Sequence, residues 1–298
     1  MRSSIVDLGS STFHALVADV DELGIRNAIL DRKVSVRIAD DALALGRIPE
    51  PAAESALDAI GKLLARTASR VPGLPRVVAT GVFCDAANGR ELLARAAERH
   101  AIAIELLEPA DEVRLVWRAV SAELAGSHGR LAVIEVGGWS LGAGAGSHAA
   151  ELATALPLGV LRLRGLAPDA IRERIAGNAA GALGELVARR PDTVALSAGS
   201  ARALLGLARK LRLTGDVQRH LARRTFGELA RVLAPMSHRA LAELGVSPTR
   251  AETIACSAAA IDAVLELCGS TVVYVARSGM REGALIEHAR AASCNFAA

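Results

Sequence analysis

Over the first forty residues, apolar positions run together in short stretches broken by small polar residues, which predicts strands rather than helices. Ser4–Leu8 is one such run with Asp7 near its end; after the turn Gly9-Ser10-Ser11-Thr12 a second covers Phe13–Val20, and a third covers roughly Ile25–Val36. Two runs joined by a Gly/Ser/Thr turn form a hairpin. From Pro51 the period lengthens to that of a helix, with Ala53, Leu57, Ile60 and Leu64 on one face. A strand at Arg76–Thr80, a helix over about Ala86–Arg99, a strand at Ile102–Leu106 and a helix from Pro109 to about Leu124 follow. Ala125-Gly126-Ser127-His128-Gly129 reads as a linker, and beyond it the opening pattern recurs: Leu131–Val136, the turn Gly137-Gly138-Trp139-Ser140, then Leu141–Gly146. Strands at Thr193–Leu196 and Thr271–Ala276 alternate with helices, and the last third is mostly helical. The expectation is an α/β protein of two halves, 1–125 and 126–298, each opening with an acid followed by a small-residue turn.

Composition narrows the classes. The chain has 298 residues, 51% of them hydrophobic and 22% charged, with a mean hydropathy of +0.31, which is too apolar for disorder. Four Phe, two Trp and one Tyr leave the core to Ala, Val, Leu and Ile, and are too few for a base-stacking surface. A net charge of +3, carried by scattered arginines with no run of like charge, gives no reason to expect a nucleic-acid partner. Phosphate-rich substrates stay compatible, because guanidinium suits phosphate geometry. Cysteines at 84, 256, 268 and 294 have no metal-ligand spacing and read as free thiols in a reducing, cytoplasmic compartment. The longest uncharged stretch, Val136–Ala150, is glycine-rich and too short to span a bilayer, so no membrane partner is expected.

The two turns carry the candidate chemistry. Asp7-Leu8-Gly9-Ser10-Ser11-Thr12 and Glu135-Val136-Gly137-Gly138-Trp139-Ser140 each place an acid at a strand end before a tight turn. Backbone N–H groups and hydroxyls in such a turn can cradle phosphate oxygens while the carboxylate holds magnesium. One turn alone would be an ordinary hairpin; a matched pair, each after a carboxylate, favours the phosphate reading.

At these residues the sequence resembles the exopolyphosphatase and guanosine pentaphosphate phosphatase family of the actin-like ATPase superfamily. Ile5–His14 is similar to the family's D-x-G-S-N-S-F-H, and Ala79–Gly89 (ATGVFCDAANG) to A-T-S-A-x-R-D-A-x-N-G. Asp111–Leu115 is similar to E-E-A-R-L, Glu135–Ser140 to D-x-G-G-G-S, and Leu156–Leu163 is LPLGVLRL, nearly the family sequence. Ala198–Arg202 resembles G-G-T-A-R and Gly279–Gly283 resembles G-L-R-E-G. The resemblance implies two RNase H-like α/β domains flanking an interdomain cleft, and a magnesium-dependent phosphohydrolase. Glu112 would then activate water, Asp7 and Glu135 would hold Mg2+, and Ser10, Ser11, Thr12, Gly137, Gly138, Trp139 and Ser140 would bind phosphate. The substrate would be polyphosphate, guanosine pentaphosphate or a related small phosphate compound, and a homodimer is left open. Helical geometry agrees on one point: Val113, Val116, Trp117 and Val120 share a face, Glu112 borders it, and Asp111 points nearly opposite.

Departures from the family concentrate on phosphate contacts. Glu135 is one methylene longer than the family aspartate, Trp139 replaces the third glycine, Cys84 replaces an arginine, and Ser11 replaces an asparagine. Trp139 is expected to close the phosphate channel or to stack a base or sugar, with a plain core role as the alternative, and Cys84 is expected to be a passive thiol. A protein that binds phosphate compounds without turnover, as sensor or scaffold, is the alternative these departures motivate.

Overall fold

In the computed structural model of the chain, residues 1–21, 23–214 and 219–296 are described, with side chains as far as 291; the Cys294 thiol lies outside the described residues. The chain divides into two units, Met1–Ala122 with Met280–Ala298, and Glu123–Gly279.

The first unit is built on a five-stranded sheet. β1 (Arg2–Leu8), β2 (Thr12–Asp21) and β3 (Gly24–Ser35) form an antiparallel meander, as the short apolar runs predict. α1 (Ile38–Leu45) and α2 (Glu50–Ala68) lead to β4 (Arg76–Ala79), and α3 (Val82–Asp85) and α4 (Gly89–His100) lead to β5 (Glu105–Leu106). α5 (Pro109–Glu123) closes the run. The order is β3-β2-β1-β4-β5, with β4 parallel to β1. Nearly every central position of β2 is buried, so both faces of the sheet are covered. Ala53, Leu57 and Ile60 of α2 face inward as expected, with Leu63 rather than Leu64 completing the buried stripe. Arginines on the surface are engaged: Arg95 bridges Glu50 and Glu54, and Arg99 bridges Glu54 and Asp58.

The second unit repeats this plan. β6 (Leu131–Val136), β7 (Leu141–Gly146) and β8 (Leu152–Leu156) form the meander. α6 (Val160–Leu163), α7 (Pro168–Ala188), β9 (Thr193–Leu196) and α8 (Gly199–Lys210) follow. Then come β10 (His220–Ala222), α9 (Arg223–Leu233), α10 (His238–Glu243), α11 (Pro248–Ala251), α12 (Ile254–Leu267) and β11 (Val272–Val275). The sheet order is β10-β11-β9-β6-β7-β8. Its segment β8-β7-β6-β9-β11 therefore matches β3-β2-β1-β4-β5, and β10 is an added antiparallel edge. Each unit is an RNase H-like α/β fold. The core, from Ile134 and Leu141 to Phe226 and Ile261, is mainly aliphatic, as the scarcity of aromatics requires.

Four sequence expectations are revised. The strand expected at Ile102–Leu106 shrinks to the two residues of β5, and α1 and β8 were not foreseen. The tail of the chain does not stay with the second half: the last helix, α13 (Met280–Phe296), packs against β1, β2 and β3 of the first unit. Gly283 makes this possible, because a Cβ there would sit 1.9 Å from the Leu115 carbonyl oxygen of α5. Gly283→Ala must push α13 off α5, an overpacking cost of about 1–3 kcal/mol, to be read as a lower urea midpoint with unchanged slope.

Glu123, the last residue of α5, accepts hydrogen bonds from the backbone N–H groups of Arg277 and Ser278 and from the Tyr274 hydroxyl at 2.7 Å. Burial opposes its ionisation, but these donors outweigh burial and hold its carboxyl below the usual range. Among the described residues no helix is long and apolar enough to cross a membrane.

Candidate active site

In the first unit, β1 delivers Asp7 to the end of the sheet, opposite His14 of β2 and Val78 of β4. The residue keeps some exposed surface, but its carboxylate is enclosed, and Oδ1 is shut from solvent with no hydrogen-bond partner. Burial pushes the Asp7 carboxyl up to about 6; the Arg281 guanidinium lowers it, and Glu282 raises it further. Both neighbours come from the first turn of α13, so the closing GMREG segment reaches the Asp7 end of the sheet. Arg281 donates to Nδ1 of His14 at 2.6 Å and lies 3.5 Å from Asp31, which makes it a positioned structural cation and His14 a satisfied, half-buried histidine.

The turn after Asp7 is tied back on one side. The Ser10 carbonyl accepts from Ala39 N–H, and the Ser11 carbonyl accepts from Val36 and Arg37 N–H. In a trans peptide the carbonyl of one residue and the N–H of the next point oppositely, so the N–H groups of Ser11 and Thr12 face away from that segment. Ser10 Oγ accepts from Val82 N–H at 3.0 Å, which fastens the turn to α3 and leaves the hydroxyl proton to donate. Phe13 and Phe83, with ring centroids 6.1 Å apart, brace the same junction from below.

Glu112 lies in the first turn of α5, whose Val113, Val116, Trp117 and Val120 are buried. Its neighbour Asp111 pairs instead with Arg114 at the surface. Cys84 is half-buried, with Sγ 3.6 Å from the Leu107 carbonyl. Burial, then the charges of Asp85, Glu108 and Glu112, push its thiol up, so it is held neutral and unreactive. Cys256 and Cys268 are likewise free thiols, pushed by burial to about 12 and about 11. The residues around Cys84 that keep the family pattern do structural work. The Asn88 amide bonds both backbone groups of Ile48 at 2.8 Å, and a Cβ on Gly89 would lie 2.4 Å from the Phe83 carbonyl.

In the second unit Glu135 occupies on β6 the place Asp7 has on β1, two residues before the glycine of the turn. Gly137 N–H closes the turn on the Ser140 carbonyl. The Gly137, Gly138 and Trp139 carbonyls accept from Val160, Leu161 and Gly159 N–H respectively, at 2.9, 3.0 and 3.2 Å. By the same peptide geometry, the N–H groups of Gly138, Trp139 and Ser140 face away from segment 159–161. Gly159 is required here, since a Cβ would stand 2.2 Å from the Trp139 carbonyl carbon. Trp139 does not sit at a positive φ, so this position makes no demand for glycine. Its ring lies under Arg162, whose guanidinium carbon is 4.2 Å from the ring centroid and whose Nε donates to the Trp139 carbonyl at 3.4 Å.

For a divalent cation, the enclosed and unpartnered Oδ1 of Asp7 is a fitting ligand. Among the described residues no group of three or more His, Cys, Asp or Glu could hold a metal by itself. The signal that sequence reasoning underused is Glu282: it sits in a motif already recognised, but its place beside Asp7 depends on α13 returning to the first sheet.

Each copy of this duplicated α/β fold thus sets an acid at the end of its first strand, just before a small-residue turn. The model of the Ppx/GppA phosphatase family matches residues 16–292, and the chain belongs to that family and is a phosphatase. Exopolyphosphatase 1 of Mycobacterium tuberculosis is 28% identical over 303 residues, covering 96% of this chain and 88% of that protein. The Mycobacterium leprae exopolyphosphatase 1 is 27% identical over 307 residues, covering 96% and 89%. Among solved structures, an exopolyphosphatase from Cytophaga hutchinsonii has a TM-score of 0.86 at 19% identity, covering 98% of both chains. The Aquifex aeolicus family member has a TM-score of 0.79 at 19% identity and the same coverage. At such identities these two likenesses speak for the fold.

Proposed function

We propose that this phosphatase hydrolyses a phosphoanhydride: the end of polyphosphate, guanosine pentaphosphate or a related small phosphate compound. The observation that carries the reading is the pair of turns whose carbonyls are tied back. Consecutive N–H groups are thereby turned to the opposite side, an arrangement suited to anions. The names of the curated relatives support polyphosphate as the substrate class.

In this reading Ser10, Ser11 and Thr12 of the first unit, and Gly137, Gly138, Trp139 and Ser140 of the second, bind phosphate through backbone N–H groups and hydroxyls. Glu112 takes a proton from water as that water attacks the terminal phosphorus. Asp7 and Glu135 are the residues that would hold magnesium, which would neutralise phosphoryl oxygen charge. Most of the rate acceleration then comes from positioning and charge neutralisation, as in phosphoryl transfer generally.

The test is phosphate release from long polyphosphate, guanosine pentaphosphate, nucleotides and sugar phosphates, with and without magnesium. Magnesium-dependent release from the anhydrides is the expected result. Cys84, neutral where the family has an arginine, favours a second reading in which the protein binds phosphate compounds without turnover. Saturable binding with no release from any of these compounds would establish that reading instead.

A further inference from the structure

The geometry points to Trp139 and Arg162 as a single clamp that fixes the Gly137–Ser140 turn, with Arg162 a positioning residue acting through the indole. This rests on the proposed role of that turn in binding phosphate. Every carbonyl from Gly137 to Trp139 is held by a backbone donor between Gly159 and Leu161. Arg162, the next residue, adds a second donor to the Trp139 carbonyl and covers the indole with the same guanidinium. One side chain therefore holds the third position of the turn at two points, its backbone and its ring.

The stack lies on the carbonyl side of the peptide joining Trp139 to Ser140, because Arg162 bonds that carbonyl. The N–H of Ser140 points the other way. A ring drawn to the carbonyl side does not stand across the N–H face, so Trp139 does not limit the length of the phosphate chain. Nor is it a platform for a base: the residue is only 8% exposed and one ring face is occupied by guanidinium. What a third glycine would leave to backbone constraint alone, this chain secures with a side-chain pair. Arg162 belongs to the LPLGVLRL segment that already supplies the carbonyl donors.

The experiment is steady-state phosphate release from long polyphosphate and from guanosine pentaphosphate by variants of the full chain. Arg162→Met and Trp139→Leu are each expected to raise KM about tenfold for both substrates alike, with kcat nearly kept, since binding common to ground and transition states is what is lost. The double variant is expected to be no worse than the worse single one. Trp139→Phe, which keeps a ring under the guanidinium, should recover most of the loss and keeps the test decisive if the truncations unfold. Arg162→Lys should recover only part, because an ammonium cannot both cover the ring and donate to the carbonyl. Ser140→Ala leaves the clamp untouched and reports on the turn itself. If Ser140→Ala raises KM while Arg162→Met does not, the clamp is wrong and the turn stands. If neither raises it, the clamp is overturned and the Ser140 hydroxyl makes no phosphate contact. A Trp139→Leu variant that gains on long polyphosphate relative to pentaphosphate would show a gate and overturn the clamp.

Discussion

Glu112→Gln is expected to slow phosphate release by about 10²–10⁴-fold, the range over which a positioned general base acts, without loosening the fold. Glutamine keeps the size and the hydrogen-bonding reach of the side chain but removes its negative charge and, with it, its ability to take a proton. The helix that carries it is anchored independently: Val113, Val116, Trp117 and Val120 are buried along one face of α5. The Glu112 N–H is already engaged by the Glu108 carbonyl at 3.1 Å. Asp111 supplies the internal control. It is adjacent in sequence, but its side chain is about half exposed and paired with Arg114, so Asp111→Asn should stay within about twofold of the parent, as surface substitutions generally do. A comparable loss in both variants would mean that the first turn of α5 matters as a charged patch. A loss confined to the glutamine variant, in kcat rather than KM, assigns the base.

The duplicated architecture was legible because strand and helix periods differ so sharply in this chain and because each meander begins with an acid and a small-residue turn. What escaped were elements whose stabilisation is not local. β5 is two residues long, and the apolar Ile102 beside it is buried without joining the ladder. β8 is an edge strand of partly exposed residues with no alternation to read. The placement of α13 depends on Gly283 meeting the Leu115 carbonyl, a contact between residues 168 positions apart in sequence. At the site, the acids and turns could be read from sequence because they sit at strand ends. The enclosure of the Asp7 carboxylate could not, since burial is a property of everything packed around it. Trp139 is the instructive case. A tryptophan at a glycine position suggests a blocked turn only if that glycine is needed for its backbone angle, and the observed φ shows that it is not. The retained Asn88 and Gly89 teach the converse: a matching motif can be kept for the scaffold while its phosphate ligand, here Cys84, is replaced.

Asp7→Asn is expected to make the protein harder to unfold while abolishing its turnover. The carboxyl titrates near 3.8 in its unperturbed state and at about 6 in the fold, chiefly because burial penalises the anion. Between those values the native state binds the proton more tightly than the unfolded chain, so this group's contribution to stability is greatest below pH 4 and falls as pH rises through about 6. Roughly two pH units at about 1.4 kcal/mol each puts the cost of the ionised group near 3 kcal/mol above pH 7. Asparagine carries no charge and is nearly the same size, so urea unfolding should show a gain of up to about 3 kcal/mol at pH 8, vanishing near pH 4. Turnover should fall at least about 100-fold in the same variant, because the displaced charge is the one proposed to hold the cation that neutralises phosphate. A direct binding readout separates the two roles. Added magnesium should raise the unfolding midpoint of the parent by linkage and leave that of the asparagine variant unmoved. Should Asp7→Asn instead lose stability at pH 8, the carboxylate is satisfied in the native state and its enclosure is not a strain held for function. Should it gain stability yet keep its magnesium response, the cation is held elsewhere, and Glu135 becomes the first residue to replace.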